Sequence, residues 1–460
     1  MKQNLTDLLK KYDVPGPRYT SYPTVPAWTT AVGVDDYQKG LNGLRSGEPL
    51  SLYFHIPFCE NLCHFCGCLT LITKKHDRSK DYVDLLCEEV ERVTALIPEG
   101  AREVTQFHFG GGSPNFLQPE ELSQVVQVVR KRFQLSPGAE VAIEMHPRTS
   151  TQAFCDVLRD LGFNRISLGV QDLDPKVQKL INRNQTYEMT AEMVTYLRKL
   201  GFESFNIDLI YGLPGQSMEG WQKTLSQVVG LRPDRLAVYS YAHVPWVRPV
   251  QRSFKDSDIP PPEMKLALFE EAYQTLTNSG YRLIGMDHFA LEEDELCRAL
   301  EEGTIHRNFM GYSTRADAHQ IGFGMSAISY VGGNYFQNNK ELIPYTKVVH
   351  EDKRLATFRG SLLNQDDRIR RDLIRRIMCQ GKIIFKEFES QWGLRFGDYF
   401  AEELPALRTF TDDGLLVIDE EAIQVEGEGF LFLRNMAMVF DRYLLGIQQK
   451  AFNPVFSRTV

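Results

Sequence analysis

The sequence predicts an α/β protein whose largest part is an open, partial βα barrel of six units. Two observations indicate this fold. First, short segments rich in β-branched and aromatic residues alternate with amphipathic helical segments, the pattern of parallel strands joined by crossover helices. Second, the strand candidates span 190 residues, whereas a closed barrel of eight units needs about 250. The predicted strands are 51–56, 104–109, 140–145, 165–170, 204–209 and 236–241.

The segments beyond these six units extend the barrel region to 51–360. Residues 281–286 (YRLIGM) and 326–331 (SAISYV) are candidates for strands at the edges of the sheet. Before the barrel, residues 1–50 predict an arm that covers the active site. It begins as a short amphipathic helix and continues with GPRYTSYPT at 16–24, whose prolines and aromatic residues favour an ordered segment without regular structure.

Residues 361–460 predict a separate, small and mostly helical domain. Helices are expected near 365–382 and 428–445, and GLLVIDEEAIQVEGEG between them is typical of a β-hairpin with an acidic turn. This order resembles a winged helix. Because the hairpin is acidic, we interpret the domain as a structural cap and not as a DNA-binding module.

Composition and charge exclude several classes of protein. The 460 residues include 52 basic and 60 acidic side chains, a net charge of −8, so we expect no nucleic-acid partner. No run approaches the roughly 18–20 apolar residues of a membrane span. The first residues lack the apolar core of a secretory signal, so we expect a cytoplasmic protein.

Four cysteines lie within ten residues, directly after the first predicted strand. They are separated by three, two and one residues, whereas zinc sites usually consist of two separated pairs. One short loop more naturally surrounds an iron–sulfur cluster that takes three thiolates and keeps one iron open. The four are Cys59, Cys63, Cys66 and Cys68. The other four, which we interpret as small buried thiols, are Cys87, Cys155, Cys297 and Cys379.

Polar or glycine residues follow every predicted strand. Ligands of parallel βα folds bind at the carboxyl ends of the strands, so these residues are candidates for a binding site. A flexible turn would also explain the glycine run, and a solvent-exposed carboxylate would explain each acidic residue. Isolated histidines are usually structural, so His108, His306, His319 and His350 are given no role. The strand-end candidates are Gly110–Pro114, Glu144, His146, Arg148, Gln171, Asp172, Asp208, Tyr211, Gly212 and Tyr241–His243.

The first three cysteines, C-x3-C-x2-C, resemble the signature of the radical S-adenosylmethionine (radical SAM) superfamily. Longer strings are similar to one family within it, the oxygen-independent coproporphyrinogen III oxidases, or coproporphyrinogen dehydrogenases, of haem biosynthesis. The resemblance runs from about residue 12 to the C-terminus. The strings are GPRYTSYPT, SLYFHIPFCENLCHFCGC, FGGGSPNFL, FNRISLGVQDL, NIDLIYGLPGQ, YAHVP, GMDHFA and HRNFMGY.

The resemblance implies a (β/α)6 TIM-like barrel of the radical SAM type and a specific reaction. That reaction converts two propionate side chains of coproporphyrinogen III to vinyl groups, giving protoporphyrinogen IX, by means of a 5′-deoxyadenosyl radical. The implied cofactors are a 4Fe–4S cluster on Cys59, Cys63 and Cys66 and two molecules of S-adenosylmethionine. A reductant and an electron acceptor are also needed, and the family suggests a monomer.

The resemblance also implies which residues of this chain contact the cofactors, because they occupy matching positions in the family motifs. The first S-adenosylmethionine would contact Tyr53, Gly111, Glu144 and Ile328. The second would contact Phe65, Gly67, Gly112, Ser113, Gln171, Arg183, Asp208, Ala242 and Phe309.

Two further residues are candidates for catalysis. Cys68 is interpreted as a neighbour of the cluster, because a fourth thiolate would close the open iron. Arg18 lies in the arm, where it could pair with a substrate carboxylate in a bidentate fork or be an ordinary surface arginine.

The sequence departs from the family pattern at two positions. His146 stands where the family suggests aspartate, which would place a titratable base near the first cofactor. Met310 stands where glutamine is expected and keeps the bulk without the amide. Two other functions remain open, a radical SAM haem-binding chaperone without oxidase activity and a structural metal protein. Cys68 and the arm that carries Arg18 favour the enzyme.

Overall fold

The computed structural model describes residues 5–202, 204–315, 318–451 and 454–459. Residues 1–4 of the predicted arm, and residues 452, 453 and 460 of the predicted C-terminal domain, lie outside this range. The strands are β1 (Leu50–Ile56), β2 (Phe58–Cys59), β3 (Leu71–Ile72), β4 (Glu103–Gly111), β5 (Gln134–Met145), β6 (Arg165–Gln171), β7 (Ser204–Tyr211), β8 (Arg235–Ser240), β9 (Tyr281–Gly285), β10 (His288–Leu291), β11 (His306–Asn308), β12 (Gly311–Ser313), β13 (His319–Phe323), β14 (Ile328–Val331), β15 (Asn334–Asn338), β16 (Thr357–Ser361), β17 (Lys382–Ile384), β18 (Leu416–Ile418) and β19 (Ala422–Val425).

The helices surround the central sheet and build the C-terminal region. They are α1 (Leu5–Tyr12), α2 (Val34–Asn42), α3 (Asp77–Thr94), α4 (Pro119–Arg132), α5 (Gln152–Asp160), α6 (Pro175–Leu180), α7 (Tyr187–Lys199), α8 (Met218–Leu231), α9 (Pro262–Asn278), α10 (Glu295–Glu301), α11 (Leu342–Thr346), α12 (Gln365–Gln380), α13 (Phe385–Trp392), α14 (Phe396–Tyr399), α15 (Leu404–Asp412), α16 (Leu433–Met438) and α17 (Leu444–Lys450).

One sheet of twelve strands forms the centre of the described structure. Its strand order is β16-β15-β14-β13-β1-β4-β5-β6-β7-β8-β10-β9, so it has two ends and does not close. The six predicted strands are β1 and β4 to β8, which pair in parallel in chain order. The open βα architecture predicted from the sequence is therefore confirmed.

A seventh parallel strand, β13, was not predicted. It pairs with β1, with Leu50 opposite His319 and Phe54 opposite Phe323. A hairpin (β11–β12) precedes it instead of a helix, so the alternation of strand and helix that revealed the other six is absent there. The candidate edge strands both form. β9 ends the sheet, whereas β14 lies between β13 and β15.

Alternation along the strands separates an apolar face from a polar face. In β1, Leu52, Phe54 and Ile56 are fully buried, and Phe54 stacks on Phe109 of β4 at 5.1 Å. These side chains belong to the core between the sheet and its helices. The residues between them face the other way, into the barrel, where the polar groups of neighbouring strands meet.

The N-terminal arm lies against the C-terminal region. It starts with α1, as predicted, and residues 16–24 contain no helix or strand. The buried Arg434 guanidinium donates to the carbonyls of Pro17 (3.1 Å), Arg458 (3.0 Å) and Gly16. A β-carbon at Gly16 would lie 2.5 Å from the Met438 sulfur, so a larger residue there would require the Met438 side chain to shift.

The C-terminal region agrees with the prediction in part. α12 and the β18–β19 hairpin form as expected, and β17 adds a third strand to the hairpin. The single helix predicted near 428–445 is wrong, because this segment consists of a 3-10 turn at Gly427–Leu431, α16 and the start of α17. A β-carbon at Gly429 would lie 2.1 Å from the Leu415 carbonyl oxygen. This glycine therefore packs directly on the chain before β18.

None of the described helices is both long enough and apolar enough to cross a membrane.

The buried carboxylate of Glu89 on α3 offers a test of the packing between helix and sheet. It accepts hydrogen bonds of 2.7 Å from the Gly324 backbone, Asn338 and Tyr345. We expect Glu89→Ala to lower the free energy of unfolding by about 3 kcal/mol, because buried donors left unpaired cost about 1–3 kcal/mol each. Denaturant titration measures this loss.

The neighbouring Glu88, whose partner is the exposed His350, provides the matched control. Exposed ion pairs contribute about 0–1 kcal/mol, so Glu88→Ala should change stability little. Equal losses in the two variants would contradict the role given to Glu89.

Candidate active site

The cysteine loop is held at the carboxyl end of β1. The short strands β2 and β3 pair in parallel, with Cys59 opposite Ile72, and the Thr73 amide donates to the Cys59 carbonyl at 3.0 Å. On the other side, the Asn182 side chain donates to the Leu62 carbonyl at 2.9 Å. The loop is thereby fastened at both flanks, which fixes the position of its thiols.

Each of the three predicted ligand thiols has a different polar neighbour. Cys59 Sγ lies 3.5 Å from Ser113 Oγ. Cys63 Sγ accepts from Arg183 Nη1 at 3.6 Å, and Cys66 Sγ accepts from the Cys68 amide at 3.4 Å.

Local interactions make the four thiols unequal in acidity. The pKa of Cys66 is lowered, first because the Cys68 thiol donates a hydrogen bond to it and further because Arg248 and Arg183 lie nearby. The pKa of Cys68 is raised by the same hydrogen bond and by desolvation. Burial raises the pKa of Cys59 to about 11. Within the pair Cys66 is thus the better thiolate, and Cys68 is its hydrogen-bond donor.

These thiols are chemically suited to bind an iron–sulfur cluster. All four are free, with no disulfide between them, and thiolate is the usual ligand of such clusters. The guanidinium groups of Arg183 and Arg248 would offset the negative charge of the thiolates. The described residues contain no group of three histidine, cysteine, aspartate or glutamate side chains arranged for a single metal ion.

The glycine run after β4 lies tightly against the start of the cysteine loop. The Gly112 amide donates to the Ile56 carbonyl at 2.7 Å, and the Ser113 amide donates to the Phe58 carbonyl at 2.9 Å. A β-carbon at Gly112 would lie 2.8 Å from that Phe58 oxygen, and Gly111 has a φ of +114°. Only glycine fits these two positions without strain, so the run is more than a flexible turn.

Glu144, at the end of β5, lines the barrel cavity together with Glu140 and Asp208. Its carboxylate accepts from the Gly111 amide and from His108 Nε2, both at 3.2 Å. Burial alone would raise the pKa of Glu144, but these two hydrogen bonds lower it below its usual value. Tyr53 stacks on the His108 ring at 5.9 Å. Glu144 is therefore an ionised carboxylate held in a fixed orientation.

Asp208, at the end of β7, is an acidic group of the same cavity. It accepts from Asn206 at 2.8 Å and from Ser167 at 3.5 Å. Burial and the nearby Glu144 charge raise the pKa of Asp208 to about 7. Glu144 and Asp208 are thus two carboxylates whose pKa values differ, and together they favour a cationic ligand.

Arg183 joins the cysteine loop to β6. Its guanidinium donates to the Gly169 carbonyl and to Cys63 Sγ, while its buried Nε has no partner among the described residues. Gln171, two residues after Gly169, has a φ of +72°. An unpaired buried donor beside a strained strand end is suited to contact a bound ligand.

The remaining predicted contacts form two groups. Gln251 Nε2 donates to the carbonyls of Phe65 and Ala242, both at 3.2 Å, which places these two residues together. Gly67, in the same loop, accepts from Arg248. Phe309 and Ile328 lie in a separate apolar cluster with Trp28 of the arm. The predicted site residues therefore extend from the cysteine loop to the arm.

The structure gives His146 a different character from the one we expected. Burial and the charges of Arg183 and Arg148 lower the pKa of His146 to about 2, and its Nδ1 accepts from the Arg148 amide at 3.3 Å. The expectation of a titratable base was wrong, because the ring is held neutral and caps a turn. Met310 lines a barrel cavity of about 130 Å³ together with Glu144 and Asp208.

Arg18 is not an ordinary surface residue. It forms an ion pair with Asp287, and its guanidinium lies over the Tyr239 ring at 5.2 Å. Asp287 also accepts from His288 Nδ1 at 2.8 Å. This pair fastens the arm to the open side of the barrel.

Four residues of the site were not predicted from the sequence: His108, Tyr239, Asp287 and His288. His108 was set aside as an isolated histidine, although Gln106 and His108 alternate with apolar residues in β4 and His108 lies opposite Tyr53 in β1. A count of polar residues at every second strand position would have shown that one face of the sheet is a polar interior. Nothing local marks Asp287 as the partner of Arg18, which lies 269 positions away in the sequence.

Comparison with known proteins places this geometry in context. The radical SAM superfamily model matches residues 53–228, and the HemN C-terminal domain model matches residues 363–432. A curated relative from Escherichia coli (strain K12), the oxygen-independent coproporphyrinogen III oxidase, is 44% identical over 98% of both chains. Proteins of the same name from Pseudomonas aeruginosa and Synechocystis are 42% and 40% identical over at least 97% of each chain.

A solved structure agrees with the sequence relatives. It is described as coproporphyrinogen III oxidase (HemN) from Escherichia coli, a radical SAM enzyme. It is 43% identical and has a TM-score of 0.91 over 96% of this chain and all of that chain.

The three predicted ligands can be tested separately from Cys68. We expect Cys59→Ala, Cys63→Ala and Cys66→Ala each to abolish the visible absorbance of the reconstituted cluster, because three thiolates hold it. Cys68→Ala should keep the absorbance but slow turnover, because it removes only a hydrogen-bond donor to Cys66. Absorbance and iron content after anaerobic reconstitution measure this.

Cys87, a partly buried thiol on α3, provides the control, and Cys87→Ala should leave the absorbance unchanged. The ligand assignment would be contradicted if the cluster survived in the Cys59, Cys63 or Cys66 variant, or if it were absent from the Cys68→Ala variant.

Proposed function

The chain belongs to the oxygen-independent coproporphyrinogen III oxidases, which are radical SAM enzymes of haem biosynthesis, and we propose that it converts coproporphyrinogen III to protoporphyrinogen IX. In each of two propionate side chains, –CH2–CH2–COO⁻ becomes –CH=CH2. One hydrogen atom, one electron and carbon dioxide leave each side chain. The observation that carries the proposal is the cysteine loop, in which Cys59 contacts Ser113 of the glycine run and Cys63 contacts Arg183.

When bound, the cluster and S-adenosylmethionine supply the radical that removes the hydrogen atom. Cys59, Cys63 and Cys66 would hold the cluster through their three thiolates. The Cys68 amide and the Cys68 thiol both donate to Cys66, which stabilises thiolate charge and would tune the cluster potential. Burial of the site in the barrel excludes water from the reacting groups.

We place the first S-adenosylmethionine beside Glu144, Tyr53, Gly111 and Ile328. Glu144 is ionised and oriented by two hydrogen bonds, so it suits the ammonium group of the methionine part. The close packing at Gly111 and Gly112 lets the ligand approach the backbone.

We place a second S-adenosylmethionine between the cysteine loop and the ends of β6 and β7. Its candidate contacts include Asp208 and Arg183, which offer an anion for the ammonium or sulfonium and a cation for the carboxylate. Arg183 Nε is buried and has no partner among the described residues, which supports a ligand there. The other members of this site are Phe65, Gly67, Gly112, Ser113, Gln171, Ala242 and Phe309.

Arg18 is proposed to hold a propionate of the substrate. The substrate carries four carboxylates, and a guanidinium has five N–H donors, of which the ion pair with Asp287 uses only part. Arg307, which donates to the Arg18 carbonyl, adds a second positive charge beside it. The arm therefore brings cations to the open side of the barrel, where a polyanion would enter.

We propose that the protein acts as a monomer in the cytoplasm, with an external one-electron reductant and an electron acceptor. Its eight free cysteines are consistent with a reducing compartment.

The anaerobic assay with product identification tests this function. We expect reconstituted protein with S-adenosylmethionine, a reductant and coproporphyrinogen III to give the divinyl product, and Cys63→Ala to give none. Mass spectrometry of the oxidised porphyrins detects the loss of two carboxyl groups. Absence of a vinyl product together with tight haem binding would instead favour the haem chaperone.

Equilibrium dialysis tests the second cofactor site. We expect two equivalents of S-adenosylmethionine per chain, with the weaker one sensitive to pH. Because the pKa of Asp208 is about 7 and a cationic ligand binds its ionised form, affinity should fall about tenfold from pH 8 to pH 6.

Asp208→Asn should weaken this equivalent and remove its dependence on pH, while the first equivalent remains. Glu293→Gln, which changes an exposed carboxylate paired with Arg232, is the control. A single equivalent in the unchanged protein would rule out the second site.

A further inference from the structure

Three surface segments surround the cysteine loop, and we call them together the loop rim: residues 72–80, 176–179 and 246–255. The first directly follows β3, which pairs with Cys59. The second belongs to α6, where the Leu180 carbonyl lies 3.1 Å from His64 Nδ1. The third reaches the loop through Arg248, which donates to the Gly67 carbonyl.

The loop rim is positively charged, although the chain is not. The rim segments, taken together with the cysteine loop and the residues that flank them, are residues 57–80, 174–183 and 243–258. They contain ten lysines and arginines and five aspartates and glutamates, in a chain with a net charge of −8. Eight of these cations are exposed. They are Lys74, Lys75, Arg78, Lys80, Lys176, Lys179, Arg252 and Lys255.

The same rim exposes large apolar side chains. Ile72, Trp246 and Val247 have exposed fractions of 43%, 42% and 59%. Exposed apolar groups surrounded by charges are typical of protein–protein contact sites, and tryptophan is over-represented among the residues that dominate binding energy. A small-molecule reductant would need no such surface.

The loop itself is joined directly to the rim. The Thr73 amide donates to the Cys59 carbonyl at 3.0 Å, and Arg248 donates to the Gly67 carbonyl. Electron transfer slows steeply with distance, so an electron would enter a cluster in this loop from the rim side. The opposite side faces the barrel, where substrate and cofactor bind.

We propose that the loop rim is the docking surface for an acidic, low-potential electron-transfer protein that reduces the cluster. This inference rests on the proposed function only for the presence of the cluster. With a flavin carrier, one electron leaves the anionic hydroquinone, which becomes the neutral semiquinone, and enters the oxidised cluster. No proton moves and no bond forms or breaks. Opposite charges steer the two proteins together and orient them.

Stopped-flow mixing of reconstituted protein with an acidic flavodoxin hydroquinone tests the docking surface. The double variant Lys74→Glu/Lys75→Glu should slow the bleaching of the cluster absorbance about tenfold at low ionic strength, since steering changes association rates by about 10–1,000-fold. Trp246→Ala should slow it at every ionic strength. Reduction by dithionite should keep its rate in all variants, which shows that the cluster is intact.

Lys382→Glu/Lys386→Glu is the matched control, because it makes the same charge change on exposed residues of the C-terminal region. Equal rates for all proteins, or equal slowing in the control, would overturn the proposal. It would also be overturned if the rim variant left flavodoxin reduction unchanged and instead raised KM for coproporphyrinogen III, since the charges would then serve substrate entry.

Bleaching of the cluster is read without any porphyrinogen, which separates this proposal from the proposed function. A protein that accepts electrons at the rim but forms no vinyl product would overturn the function alone. If no cluster assembles, both proposals fall.

Discussion

The site depends on the register of the parallel strands, because that register decides which side chains face the barrel. Below the site, neighbouring strands satisfy one another's polar groups. Ser51 donates to Gln106 at 2.8 Å, Gln106 donates to Glu140 at 2.8 Å, and Arg165 pairs with Glu140 at 3.1 Å. A shift by one residue would turn these groups toward the helices and leave them unpaired in an apolar core. The same alternation of side chains turns Glu144, nearer the carboxyl end of β5, into the barrel. The paired polar groups below the site and the cofactor site therefore both depend on the register of the strands.

The sequence revealed those features that repeat or lie close together along the chain. The six strands were predictable because each is short, apolar and followed by an amphipathic helix, and the cysteine loop was predictable because its spacing is dense. β13 was not predictable, because its neighbours in the chain are hairpins. The ion pair between Arg18 and Asp287 joins residues 269 positions apart, and no local pattern encodes such a contact. The neutral state of His146 likewise depends on the charges of Arg183 and Arg148, which only the fold brings near it.

The arm shows how a distant segment can complete a site. Arg434 is buried and donates to the backbone carbonyls of Gly16, Pro17, Ser457 and Arg458, and among the described residues no carboxylate pairs with it. Burial and the nearby Arg18 charge lower the pKa of Arg434 to about 9. The charged form of Arg434 is therefore less stable in the folded protein than in water. In return, one side chain fastens the arm at Gly16 and Pro17 and the C-terminal segment at Arg458. The position of Arg18 in the barrel opening thus depends on the C-terminal region, which explains why a domain outside the barrel belongs to the functional unit.

The two sides of the cysteine loop carry opposite charges, and each sign suits a different ligand. On the barrel side, Glu144 and Asp208 favour the ammonium and sulfonium groups of the cofactor, while Arg18 at the opening favours a carboxylate. On the outer side, the loop rim is cationic and partly apolar, which favours an acidic protein. The net charge of −8 conceals this division, since it averages a positive rim with a negative remainder. A composition without a basic excess argues against a nucleic-acid partner, but it does not exclude a local basic surface. For a redox enzyme such a surface has most effect where it lies nearest the metal centre, and in this chain that is where the rim adjoins the cysteine loop at Thr73 and Cys59.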